Sequence, residues 1–366
     1  MKFSVVKEVI LDELQLLQGI VEKRNTMPIL ANILIAAGED KVEMTGTDLE
    51  VGLRTHFPAQ MEEPGAITVS GKKVFEIVKS LPDEKVITFE ENEDLMMEIS
   101  AGRSQFKVLC LPKEDYPLVP EAPFDKKIVL PMDRLQEMID RVYFAIAQEQ
   151  RYYLNGALLI LKPGTIELVS TDGHRLSYTS AGVEGLGPGE EVRVIVAKKS
   201  LGELRKMTDE TVEFDRDDNN LFFRVGNRTL ISRIIESKFP NFEAVIPKDN
   251  PHLLRVMKEE FTQAIRRVSL LSTERSRGVK FSLSKGSLKL FSSNPEIGEA
   301  RDDLEVDYAG AELEVGFNSQ YLLDFLMAIR SERVRLEVKD ENSAAVMKPD
   351  LDEDIRYTYV LMPMKI

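Results

Sequence analysis

The stretches KVEMTGTD (41–48) and TIELVSTD (165–172) end in the same Thr-Asp pair, 124 residues apart. A third apolar run, SLKLFSSNPE (287–296), brings Asn294-Pro295 to the corresponding point, with Asn294 123 residues beyond Thr171. Other landmarks keep the same order and offset. Gly102-Arg103 matches Gly226-Asn227-Arg228, and DYPLVPEAP (115–123) matches KFPNFEAVIP (238–247). TVSGKKVFEIVKSLP (68–82) matches both VIVAKKSLGELRKM (194–207) and VGFNSQYLLDFLMAI (315–329). A repeat of about 122 residues is far longer than the ~20–50 residues of a solenoid unit. It has the size of a whole domain, and single cores rarely grow to the full length of this chain. The expectation is three tandem domains, 1–122, 123–247 and 248–366, with breaks near EAPFDKK (121–127) and IPKDNPH (246–252).

Each copy has the same internal pattern. An amphipathic helix comes early, at 8–21, 132–147 and 259–272, with apolar residues three and four apart. A second helix follows in mid-copy, KKVFEIVKSL, KKSLGELRKM and SQYLLDFLMAI. Short alternating runs broken by Gly, Asn and Asp surround them, as expected of antiparallel strands. The fold class is therefore α+β, two helices over antiparallel sheet in each copy.

No run approaches the ~20 apolar residues of a membrane helix. The N-terminal MKFSVVKEVILDELQ has acids where a signal peptide needs an apolar stretch. Cys110 is the only cysteine and reads as core packing in a reducing compartment. These features lead us to expect a soluble, cytoplasmic protein. The chain carries 48 Lys and Arg against 62 Asp and Glu, which argues against simple nucleic-acid binding. The distribution is uneven, however. Six helical segments (8–24, 71–82, 131–147, 197–207, 258–277 and 318–330) hold 17 basic residues against 13 acidic ones. A mildly basic helical surface against an acidic exterior is expected, which is either a set of solvated helix faces or a surface for DNA.

TDGHRL (171–176) looks like a place for chemistry. An enzyme centred on Asp172, His174 and Arg175 is one reading. The chain has three histidines, His56, His174 and His252, and none is at metal-ligand spacing. It has no Gly-rich phosphate loop and no nucleophile elbow. Asp172-Gly173 is also a favourable turn pair, and the His-free counterpart TDLE (47–50) supports a structural use of Thr-Asp. No catalytic residue, cofactor or metal is assigned.

RYYLNG (151–156), STDGHRL (170–176), SKFPNF (237–242), YAGAELEVGFNSQYLLD (308–324) and the terminal YVLMPMKI (359–366) together resemble the bacterial DNA sliding clamp family, the beta subunit of DNA polymerase III. MKFSV, NTMPILANILI and TGTDLEV extend the likeness over the whole chain. The resemblance implies a non-catalytic processivity factor: a head-to-tail homodimer whose six domains form a ring around double-stranded DNA, helices inward. It also implies a groove between the second and third domains for short peptides of the replicative polymerase, the clamp loader and other partners. Carried over, Leu154, Thr171, Gly173, His174, Arg175, Leu176, Pro240 and Val245 line one part of that groove. Tyr321, Val346, Val360, Met362, Pro363 and Met364 line the other. Apolar walls supply burial, unbranched Met adapts to different ligands, and Arg175 and His174 could fix a peptide's polar groups. The DNA set is Arg24, Lys72, Lys73, Gln148, Tyr152, Tyr153, Lys198 and Lys199. At the subunit seam, Phe106 faces Leu270 and Leu271, and basic Lys73, Arg103 and Lys107 face acidic Glu299, Asp302, Asp303 and Glu305, which favours head-to-tail contact. Ala244 departs from members that carry a basic residue beside the groove, and the acidic KPDLDEDIRY (348–357) has no assigned partner. A monomeric scaffold of tandem domains with no ring is the remaining alternative.

Overall fold

A computed structural model describes the chain apart from residues 22–26, 84, 93, 122, 149–153, 185–190, 274–275, 352–353 and 366. Among the described residues, six α-helices form where the period-3.6 pattern places them: α1 (Lys7–Ile20), α2 (Gly71–Ser80), α3 (Met132–Tyr143), α4 (Lys198–Leu204), α5 (Lys258–Ser269) and α6 (Ser319–Ala328). Two second helices start at side-chain caps. Ser70 Oγ accepts from Lys73 N, and Asn318 Oδ1 accepts from Gln320 N and Tyr321 N. A lysine at the head of the first helix also closes the end of the second. Lys7 Nζ donates to Lys79 O and Leu81 O, and Lys258 Nζ donates to Ile329 O at 2.6 Å. A cation there neutralises the negative end of the helix dipole. Met132 occupies this position in the second copy.

The helices are shorter than their amphipathic runs. α3 stops at Tyr143, not Ala147, because side chains take the carbonyls that a further turn would use. Ser177 Oγ and Tyr357 Oη donate to Arg141 O, Ser170 Oγ to Val142 O, Arg175 Nη2 to Phe144 O and Lys198 Nζ to Ile146 O. The shortening also changes the charge balance. As formed, the six helices hold eleven basic and eleven acidic residues. The expected excess of positive charge lies just past the helix ends, for example on Arg205, Lys206, Arg277 and Arg330.

The chain divides into two compact units, residues 1–133 with 199–234 and residues 134–198 with 235–366. Each is organised around a seam where strands from neighbouring copies pair. In the first unit, Arg228–Arg233 of the second copy pairs antiparallel with Val51–Pro58 of the first, with Ser232 opposite Val51 and Arg228 opposite Thr55. This joins their strands into one thirteen-stranded sheet. In the second unit, Arg175–Gly182 pairs with Ile355–Leu361, from Arg175 opposite Leu361 to Ala181 opposite Ile355, within a nine-stranded sheet. A four-stranded sheet completes the third copy, with Gly298–Glu305 at one edge.

The third copy's core lies between α5, α6 and these sheets: Phe261, Ile265, Phe281, Phe317, Leu322 and Phe325 are fully buried there. Each such side chain contributes ~1.5–3 kcal/mol by leaving water. Phe281 meets Phe261 and Phe317 edge-on, at 5.7 and 5.4 Å between centroids. The second copy's cluster in the same unit joins Leu154, Leu158, Val169, Leu176, Phe239 and Phe242 to Val360 of the last strand. The apolar floor of the expected groove is therefore part of a folded core.

Candidate functional site

The Thr-Asp pairs build the same turn twice. Thr47 Oγ1 donates to Val51 O and accepts from Leu49 N; Thr171 Oγ1 donates to Arg175 O at 2.6 Å and accepts from Gly173 N. Asp48 Oδ1 accepts from Glu50 N and Val51 N, as Asp172 Oδ1 does from His174 N and Arg175 N. The third residue of each turn has positive φ, 78° at Leu49 and 91° at Gly173. Thr-Asp is thus a turn device, and Asp172 is fully used in it and in the ion pair described below.

The second turn sits beside the chain's C-terminal strand. Leu176 lies opposite Val360, and Val360 opposite Val346. Met362 N donates to His174 O at 3.0 Å and Met364 N to Gly316 O at 2.9 Å, so the tail runs as a strap from the turn to the strand Leu313–Asn318. Leu154, Leu176, Val346 and Val360 are at most 3% exposed and form the floor. Gly173, His174, Pro240, Val245 and Met362 are exposed above it, and Thr171, Tyr321, Pro363 and Met364 are partly exposed. The fourteen groove residues named from sequence thus lie in one unit.

Arg175 is held by partners in its own unit. Its Nε donates to Asp172 Oδ2 at 3.0 Å, Nη1 to Asp324 Oδ2 at 2.6 Å and Tyr359 Oη at 3.4 Å, and Nη2 to Phe144 O at 2.6 Å. The guanidinium lies 4.2 Å from the Tyr321 ring centroid and 5.2 Å from that of Phe144. Burial acts to lower its pKa, but Tyr359, Asp324 and Asp172 outweigh this and raise it. A guanidinium has five N–H groups, so at most one remains for a ligand. Sequence reading missed Asp324, Phe144 and Tyr359; the only signal was a lone acid in the apolar helix YLLDFLMA.

Lys198 and Lys199 are also held internally. Lys198 Nζ donates to Ile146 O over the Tyr143 ring, and burial, helped by the Arg175 charge, lowers its pKa. Lys199 Nζ bonds Ile20 O and Asp48 Oδ2. Their expected availability to DNA is accordingly reduced, whereas Lys72 and Lys73 are exposed on α2 beside Glu76, and Gln148 is exposed. Arg24, Tyr152 and Tyr153 lie outside the described residues. Among the described residues no cluster of His, Cys, Asp and Glu could hold a metal ion, and no helix is long and apolar enough to cross a membrane.

Of the seam residues, Arg103, Lys107, Glu299, Asp303, Glu305 and Leu270 are exposed, Leu270 at 79%; Phe106 and Leu271 are partly buried. Asp302 is engaged within its own unit by Arg267, at 2.6 Å.

Residues 1–120, 129–241 and 243–365 match the N-terminal, central and C-terminal domains of the DNA polymerase III beta subunit. The chain is 38% identical to the beta sliding clamp of Pseudomonas putida and 34% identical to that of Escherichia coli, each over the full length of both proteins. Among solved structures it is similar to the Pseudomonas aeruginosa sliding clamp bound to griselimycin, with TM-score 0.94, 36% identity and complete coverage of both chains. The Caulobacter crescentus clamp matches with TM-score 0.92 and 33% identity, again over both full chains. With a shared turn, paired seams and full-length likeness in agreement, the chain belongs to the DNA polymerase III beta subunit family, the beta sliding clamps.

Proposed function

We propose that two copies of this chain close head to tail into a ring around duplex DNA. The ring slides as a non-catalytic processivity factor and tethers the replicative polymerase through the groove at Leu176, His174 and Met362. The three domains are 1–122, 123–247 and 248–366, and the ring works in the cytoplasm. Retention on DNA then depends on topology, and weak, sequence-blind attraction suffices.

The observation that carries this reading is the pair of strand stretches left open by the two internal seams, residues 104–109 and Gly298–Glu305. Gly102 and Gly226 occupy equivalent turns, with φ of 59° and 58°. Val108 therefore corresponds to Ser232. Ser292 Oγ donates to Val268 O as Ser170 Oγ does to Val142 O, so Asn294 stands where Asp172 and Asp48 do. Asn294 lies opposite Gly298, as Asp48 N donates to Val51 O, and Gly298 corresponds to Val51. Because Ser232 meets Val51 in the first seam, the same register sets Val108 of one copy opposite Gly298 of another. Lys107 then faces Glu299, Arg103 faces Asp303, and Phe106 faces Ala300. Leu109 and Ile297, 69% and 66% exposed, also meet. Opposite charges and two exposed apolar residues thus pair in a register taken from elsewhere in the chain.

Light scattering across a dilution series tests the ring. We expect twice 41.5 kDa, a shift toward monomer in Lys107→Glu, and recovery in Lys107→Glu combined with Glu299→Lys. A wild-type monomer at every concentration would remove the ring. Deleting residues 362–366 should abolish binding of a polymerase-derived peptide; unchanged affinity would remove the groove assignment.

A further inference from the structure

We infer that Asp324, acting through Arg175, is a positioning residue for the peptide groove, and that Arg175 holds the groove's walls and does not contact the peptide. The inference rests on the groove reading above.

Two walls must keep a fixed relation for an extended peptide to fit. One is the turn 171–175, which carries His174. The other is the first turn of α6, which carries Tyr321. No backbone hydrogen bond between these two segments is described, and the guanidinium of Arg175 spans them. On one side it binds Asp172 of its own turn and Phe144 O at the end of α3. On the other it binds Asp324, one helical turn after Tyr321. Tyr359 Oη donates to Tyr321 O at 3.0 Å and so ties the last strand to the same wall. Two rings lie within 5.2 Å of the guanidinium and acceptors take four of its five N–H groups, an arrangement suited to fixing neighbours and poorly suited to recognising a ligand.

Asp324 is itself oriented. Gln320 Nε2 donates to its Oδ1 at 2.7 Å, and Gln320 Oε1 accepts from Arg277 Nη1 at 3.1 Å. The carboxylate therefore presents Oδ2 to Arg175 in a set direction. The Asp172 and Asp324 side chains are 18% and 13% exposed and that of Arg175 is 9% exposed, so solvent screens the pair little. Removing Asp324 would leave Nη1 with Tyr359 Oη alone and would leave the relation of Tyr321 to His174 to the last strand, although no atom lining the groove would be deleted.

The test is fluorescence anisotropy of a labelled polymerase-derived peptide against the full-length dimer. Asp324→Ala should weaken binding about tenfold, the scale of losing one hydrogen bond to a charged group. Asp324→Asn, which keeps an acceptor, should recover part of the loss. Light scattering and the thermal midpoint show whether each variant remains a folded dimer. Arg175→Lys combined with Asp324→Ala should cost no more than the worse single change, because both break one latch. Peptides with each polar side chain replaced by Ala should lose the same factor on the wild type and on Arg175→Lys. Unchanged affinity in a folded Asp324→Ala dimer overturns the inference and leaves the groove reading intact. So does a peptide side chain whose removal abolishes the difference between wild type and Arg175→Lys, since that marks direct contact. Wild-type protein that binds no peptide overturns the groove reading and the inference together.

Discussion

The seam of the first unit and the seam of the second begin with the same turn and reach different ends. In the first, Asp48 is neutralised by Lys199 from α4, and Glu13 of α1 accepts from Thr55 and Arg228. In the second, Asp172 is met by Arg175 from the strand that follows the turn, and Arg175 goes on to Asp324. Even the last bond is shared: Arg233 N donates to Glu50 O as Met362 N does to His174 O. Beyond it the paths separate. The first chain returns to its own sheet, with Ile234 N donating to Asn219 O, whereas the second becomes the terminal strap of Met362, Pro363 and Met364. The proposed groove lies where this strap crosses an apolar floor. The turn alone does not make one.

The comparison is broken most directly at the two arginines. Arg175→Ala removes the cation shared by the partly exposed Asp172 and Asp324 together with the bond to Phe144 O and should cost about 3–5 kcal/mol, whereas Arg228→Ala removes the cation of the buried Glu13 alone, which keeps Thr55, and should cost less. Urea midpoints check the order, and peptide binding should fall only in Arg175→Ala. Equal losses would mean that the second seam has no special role. The two positive-φ sites sharpen the comparison on a smaller scale. Leu49→Gly should stabilise and Gly173→Ala destabilise, each by roughly 1 kcal/mol, because a Cβ is disfavoured in that conformation. Opposite signs in thermal melts are expected, and the same sign would mean that the turns are not equivalent. The smallest effect concerns the strand Ser104–Leu111, the counterpart of the seam strands, in which Cys110 and Leu111 pair with Val69 and Thr68. Burial pushes the Cys110 thiol up to about 11 from 9.0. The folded state therefore favours the protonated thiol. Its contribution is complete below pH 9 and lost as pH rises through about 11. The fall in urea midpoint between pH 9 and 11 should be shallower in Cys110→Ala than in wild type.

Much of this architecture was legible in the sequence, because repeats and amphipathic runs are local signals. The second helices begin within a residue or so of their KK and SQY starts, and Thr-Asp proved to be a turn. The seams were hidden, since Arg175 and Leu361 are far apart in sequence and strand patterning does not name a partner. Likewise, KK at 198–199 reads as free charge until Ile146 O and Ile20 O are in place. α3 ended early for the same kind of reason: residues 170–198 and Tyr357 supply the groups that stop it. Arg175 was named for the groove without its internal partners Asp172, Asp324 and Phe144 O, because sequence does not show where its five donors go.

Continuous sheets across copy boundaries also bear on how this chain can be taken apart. A fragment cut at the repeat boundaries would expose the edge of Arg175–Gly182 or Val51–Pro58 as an unpaired row of amides, ready to recruit another chain. A recombinant middle repeat is therefore expected to aggregate, while residues 235–366 expressed together with 134–198 keep their seam. The repeat divides the chain into three copies; the compact units are drawn along different lines.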